Sequence, residues 1–232
     1  MTTGGVWRVQ HCCPIFLTSP ALPASCPVCR QPLEESSVAT QLPVPFHHAS
    51  DRPRTVLLRP TVGEFEDYRG GDLHVGVSDG SGRVLAFDQD GLRLCPAAEW
   101  PQCLVIPLPA SDSDAQNSGD RIENPENNIG DVVTSRASSS YDRGWDDAIA
   151  HFLNSTEWRA EVYDEISCNC FSFLLAFLER TGFLPAEDPW TRERFAEEVV
   201  LPVTRRAAKY LTLRRRVQQD GWWTVGVQRD AV

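Results

Sequence analysis

Two groups of residues in this chain have types and spacings that can do chemistry. The first is a thiol and an imidazole far apart in sequence. Cys170 follows Asn169 and opens the run CFSFLLAFL. Phe173, Leu174, Phe177 and Leu178 recur at helical spacing, so Cys170 falls in the first turn of a predicted buried helix. Unpaired N–H groups and the helix dipole favour an anion there. A thiol so held has a lowered pKa, and the thiolate is the nucleophile. The same residue also reads as a small apolar side chain opening a core helix. His74 has the titration range that a general base needs. It alternates with Leu73, Val75 and Val77, so it takes the other face of a predicted strand. A lone strand histidine also reads as structural or solvated. Asp88 and Asp90 are placed either to orient that imidazole or to make a turn.

The second group is N-terminal. His11, Cys12 and Cys13 precede Cys26-Pro27-Val28-Cys29. Two thiolates separated by two residues make a knuckle, and a His and a Cys from the first segment complete a tetrahedral zinc site. The expected ligands are His11, Cys12, Cys26 and Cys29, with Cys13 as the substitute for either first-segment ligand. Four ligands leave no open position, so this zinc is structural. The segment carries five prolines up to Pro32 and little periodicity, so a metal would supply its folding energy.

Elements must position these residues. Residues 1–34 form the zinc-knuckle segment and 35–54 a polar, Pro-rich linker in which His47 and His48 are solvated. Residues 55–110 form a strand-rich half carrying His74. TVLLRPT is a strand ended by Pro60, DLHVGVS and VLAF flank a hairpin turn at Asp79-Gly80-Ser81-Gly82, and WPQCLVIPL holds a further strand. Gly76 leaves room for a neighbouring helix or a ligand. Residues 111–140 are rich in Ser, Asp, Asn and Gly and read as a disordered loop. Residues 141–232 form a helical half carrying Cys170. Its helices are expected over 144–153, from Cys170 to Gly182, over 191–200 with Pro202 as breaker, and over 204–219; Trp222-Trp223 closes the chain as a strand or core plug. The fold class is α+β, a small antiparallel sheet packed against helices.

Composition narrows the function classes. With 232 residues and 41% hydrophobic content the chain can bury one good core. The net charge of −10 opposes broad nucleic-acid binding. No apolar run reaches the length of a membrane span. The opening MTTGGVWRVQ lacks the charged-then-apolar order of a signal peptide. Eight cysteines in such a chain read as metal ligands or a catalytic thiol, and the expected location is intracellular, cytosol or nucleus. Arg205, Arg206, Lys209, Arg214, Arg215 and Arg216 make the last helix the one basic part. It is read as a solvated face, or as a surface for an acidic or phosphate-bearing partner.

A strand-borne histidine followed by a helix-borne cysteine resembles the permuted papain-like fold of the PPPDE peptidases and the lecithin-retinol acyltransferase-like proteins. The carrying runs are His74-Val75-Gly76-Val77 and Asn169-Cys170-Phe171-Ser172-Phe173, with Tyr163 seven positions ahead of the cysteine. The resemblance covers 72–178 and implies Cys170 as nucleophile and His74 as general base. The acyltransferase-like proteins add a second histidine on the next strand, where this chain has Ala86, Phe87 and Asp88, so the pair stands without a third member. At full length the chain resembles the makorin-2 opposite strand protein family, of unassigned activity. HCCP with CPVC, LLRPTVGEF, DLHVGVSDGSG, NCFSF and FAEEVVLPVTRRAAKYLTL carry that likeness. Two functions are therefore expected. One is a non-catalytic or weakly active interaction scaffold; the alternative is a Cys–His thiol hydrolase or acyltransferase working on an isopeptide or acyl ester through a thioester.

Overall fold

The chain divides into two compact units, residues 1–45 with 206–232, and residues 46–205. The computed structural model describes residues 5–12, 15–33, 38–108, 138–184 and 189–225. The loop expected over 111–140 lies outside the described residues except for its last three, which open a helix.

In the smaller unit β1 (Trp7–Gln10), β2 (Phe16–Thr18) and β3 (Val38–Gln41) join the C-terminal strand Trp222–Thr224, β9 by its place in the chain. The sheet order is β3-β1-β2-β9 and every pairing is antiparallel, with Leu17 opposite both Arg8 and Trp223. Strands of three or four residues are too short to display a period of two. That is why an N-terminal sheet was not expected, and why β3 lies within the stretch read as a linker. Its core is Val9, Phe16 and Cys26, against which Trp7, Cys12, Leu33, Ala39 and Trp222 pack.

The larger unit holds β4 (Val56–Pro60), β5 (Leu73–Ser78), β6 (Val84–Asp88), β7 (Gly91–Cys95) and β8 (Leu104–Ile106). They form an antiparallel sheet of order β7-β6-β5-β4-β8. The β5–β6 hairpin is fixed by Asp79, whose carboxylate accepts from the Ser81 N–H at 2.8 Å and the Arg83 N–H at 2.9 Å. A helical layer lies on one side. α1 (Ser138–Asn154) and α2 (Cys170–Arg180) meet where Trp145 packs edge-on to Phe177, 4.9 Å between ring centroids. Trp145 Nε1 also donates to the Ser78 carbonyl at 2.8 Å. Phe87 faces this layer, against Trp158 and Tyr163, and Trp158 in turn packs on Phe173 of α2. The α+β class is thus as expected, with two antiparallel sheets where one was foreseen.

The opposite face of the sheet is covered by a short stretch of chain. Leu57, Val84, Ala86 and Cys95 are buried there beneath Trp100, Cys103 and Ala49. Gly76 makes room for that cover and not for a helix or ligand. A Cβ built on it would lie 2.6 Å from Val84 Cγ1 and 3.0 Å from Trp100. Gly76→Ala is therefore expected to destabilise the protein by about 1–3 kcal/mol, read as a lower urea midpoint at unchanged slope. The histidine pair is half-buried and each ring has a neighbour. Arg52 lies 3.1 Å from His47 Nδ1, and His48 Nδ1 accepts the Ser50 N–H at 3.2 Å.

The last helical stretch differs from expectation. α3 (Arg192–Phe195) passes through a π-helical turn, Ala196–Val200, directly into α4 (Leu201–Asp220). Pro202 does not break it. It sits where the helix changes from π to α, so its missing N–H falls at a register change and not inside a regular ladder. Gly182, at φ 73°, follows α2 as expected.

Candidate functional site

The four N-terminal ligand residues converge. His11 and Cys12 follow β1 directly, and Cys26 to Cys29 form a turn in which Arg30 N–H donates to the Cys26 carbonyl at 2.8 Å. One ligand atom from each of His11, Cys12, Cys26 and Cys29 lies within 4.8 Å of every other. Cys12 Sγ and Cys26 Sγ are 3.7 Å apart, and Cys29 Sγ is 3.4 Å from His11 Nδ1. Metal–sulfur bonds of 2.3 Å at tetrahedral angles put sulfurs about 3.8 Å apart, so the donor set fits one ion. Burial pushes the Cys26 thiol up, but the backbone N–H groups of Cys29 and Val28 outweigh it and bring it down to about 7. Cys12 goes the other way, to about 11, through desolvation and its thiol neighbours. Cys13 lies outside the described residues.

His74 is 7% exposed. Its strand register sets it opposite Arg59, and its ring centroid is 5.6 Å from that of Trp100, over which Arg59 also lies. Burial first, then the charge of Arg59, lowers it to about 4, with Asp88 opposing and Arg93 assisting. Asp88 does not hold the imidazole. It pairs with Arg93 at 3.0 Å and accepts the Asp90 N–H at 2.9 Å.

Cys170 is 5% exposed and opens α2 behind a full capping box. Asn169 Oδ1 accepts the Phe171 N–H at 3.0 Å, and Ser172 Oγ accepts the Asn169 N–H at 3.2 Å. Backbone N–H groups of Val75, Phe171 and Cys170 itself reach the sulfur, but burial is the larger effect and raises the thiol. The β5–β6 ladder begins at Gly76↔Ala86, one residue past Val75. The thiol therefore touches the backbone beside His74. The His74 side chain nevertheless belongs to the other face, with Arg59, Asp88, Arg93 and Trp100, whereas Phe87 and the α2 layer share the thiol's side. No hydrogen bond joins ring and sulfur among the described residues. The Arg59–Trp100 cover over His74 was not legible in advance, whereas Tyr163, part of the motif around the cysteine, does lie near the thiol, its phenol raised by burial and then by Cys170. A groove of about 300 Å³ is lined by Ile166, Asn169, Phe171, Arg192, Glu193 and Ala196, which include the chain neighbours of Cys170 but not Cys170 itself.

Among the described residues no helix is long and apolar enough to cross a membrane. The family model described as DUF4796 C-terminal matches residues 39–121 and 117–217. A human relative, the MKRN2 opposite strand protein, is 26% identical over 223 residues, which span 93% of this chain and 87% of the relative. The full-length likeness read from the sequence is thus found. No solved structure matches.

Proposed function

The chain belongs to the DUF4796 C-terminal family, and from that footing we propose that it is a non-catalytic interaction scaffold with a papain-like body and a zinc-stapled N-terminal unit. The observation that carries this reading is the side of β5 on which each group stands. The imidazole packs beneath Trp100 and Arg59 while the thiol packs under α2. A base lowered to about 4 and a thiol raised by burial are also poorly matched to proton transfer near neutrality. His11, Cys12, Cys26 and Cys29 would hold the zinc, whose four-ligand set supplies folding energy and no chemistry. The intracellular assignment, cytosol or nucleus, draws support from the free thiols of all described cysteines. The basic C-terminal helix is the surface for a protein partner.

The test is thiol reactivity. With metal bound at neutral pH, Cys170 is expected to label with iodoacetamide no faster than buried Cys103, and His74→Ala is expected to leave its rate unchanged. Labelling at least about tenfold ahead of the other thiols, slowed by His74→Ala, would contradict the scaffold.

A second reading draws on the N–H groups gathered at the Cys170 sulfur. In it the Cys170 thiolate attacks the carbonyl carbon of an isopeptide or acyl ester, the amine or alcohol leaves with the proton taken from the thiol, and water then cleaves the thioester; His74 would serve as the base only after its ring leaves the Trp100 face. That labelling result would favour it.

A further inference from the structure

On α4 the buried side chains Val203, Ala207, Tyr210, Leu211, Arg214 and Val217 mark one face. Arg206, Lys209, Thr212 and Arg216 are exposed on the other. At about 100° per residue the three cations fall within a stripe about 80° wide, and at about 1.5 Å per residue it runs about 15 Å. Some arginines elsewhere pair with carboxylates, Arg83 with Asp79 and Arg93 with Asp88 and Glu99, whereas the exposed Arg30, Arg69, Arg159 and Arg180 have no ion pair among the described residues. Arg206, Lys209 and Arg216 have no ion pair among the described residues, and α4 carries no carboxylate before Asp220. Arg216 is also fixed in place. Its guanidinium lies 3.3 Å from the Trp223 ring centroid, and Trp223 is itself held in β9. A stacked guanidinium keeps its N–H edge free for a carboxylate and gives up little rotamer freedom on binding.

We propose that this stripe docks an acidic amphipathic helix of a partner protein, one whose carboxylates recur each turn along a single face. The proposal deepens the scaffold reading and rests on it. The cations are strung along one line and do not converge, which suits a facing helix and not a single phosphate. Lys209 to Arg216 is two turns, the repeat at which carboxylates on the facing helix would stand opposite both.

The probe is a 20-residue alanine-based helical peptide with glutamates in one stripe. Its control has the same composition with the glutamates spread around the helix. Full-length, metal-loaded protein is expected to bind the striped peptide at 50 mM salt and at least about tenfold less tightly at 300 mM. The triple variant Arg206→Glu, Lys209→Glu, Arg216→Glu is expected to weaken binding at least about tenfold with metal content and melting unchanged. Arg216→Lys keeps the charge but loses the stacked plane, and is expected to weaken it about threefold. Equal binding of both peptides, an unaffected triple variant, or tighter binding to anionic phospholipid vesicles or polyphosphate than to the peptide would overturn the proposal. A silent titration alongside a slow-labelling Cys170 removes this surface alone, because the labelling decides the scaffold reading separately.

Discussion

Replacing Cys26 by Ser is expected to unfold the smaller unit, and chelating the metal to do the same to the wild type. The reason is local. Cys26 is fully buried in the core it shares with Val9 and Phe16, and Cys12 and Trp222 pack on that core. The few buried hydrophobic side chains of the N-terminal segment, Val6, Val9, Phe16, Leu17 and Cys26, on strands of three to four residues cannot by themselves offset the ordering of a Pro-rich stretch. Structural zinc sites of this donor type supply about 10 kcal/mol or more of folding energy. With the cluster gone, β2 loses its footing. β9, held to β2 through Leu17↔Trp223 and Val225 N–H to the Ile15 carbonyl at 2.8 Å, goes with it. The measurement is tryptophan emission together with protease sensitivity. Trp222 and Trp223 should shift to solvent-exposed emission and the C-terminus should become cleavable. Zinc re-addition should restore both in the wild type and fail in the variant. Unchanged emission after complete chelation would contradict this.

The second large effect concerns acid. His74 is about 4 when folded and near 6.5 when unfolded. The unfolded chain therefore binds the proton first as pH falls, and stability drops from about pH 6.5 down to about 4. The groups facing the ring are Arg59, Asp88 and Arg93, of which the two cations oppose its protonation. The shift corresponds to about 3 kcal/mol at full development, an upper figure for one histidine. His74→Gln, neutral at every pH, should abolish that part of the slope. Urea melts of both proteins at pH 7.5, 6, 5 and 4 should give a stability difference that changes by about 2–3 kcal/mol over the range. A constant difference would mean that the ring titrates freely in the fold.

The sheet around His74 was readable because its strands are long enough to alternate. In LHVGVS, Leu73, Val75 and Val77 alternate with His74 and Gly76, VLAFD reads as a return strand from its apolar run, and Asp79-Gly80-Ser81-Gly82 marks the hairpin. The same alternation already set His74 apart from Val75. What it could not say was that both faces are covered, because the cover is Trp100 in a segment with no period. Cys170 was legible as a helix start through Asn169, whose cap is complete. The cluster of His11, Cys12, Cys26 and Cys29 was legible because the residue types and spacing that suit a metal ion are fixed more tightly than backbone is. The sheet beneath them was not, since β1, β2 and β3 find their partners at long range and one partner, β9, lies at the other end of the chain. Pro202 misled because a proline inside a helix normally ends it, and the π turn before it removes that constraint.

The central claim is that four side chains gathered by the N-terminal sheet hold one zinc ion. Elemental analysis joined to native mass spectrometry of protein purified without added metal tests it most directly. The account predicts one zinc per chain, lost in Cys26→Ser and Cys29→Ser and retained in Cys170→Ser. Metal-free protein with native melting behaviour, in which Cys26 and Cys29 alkylate freely, would contradict it.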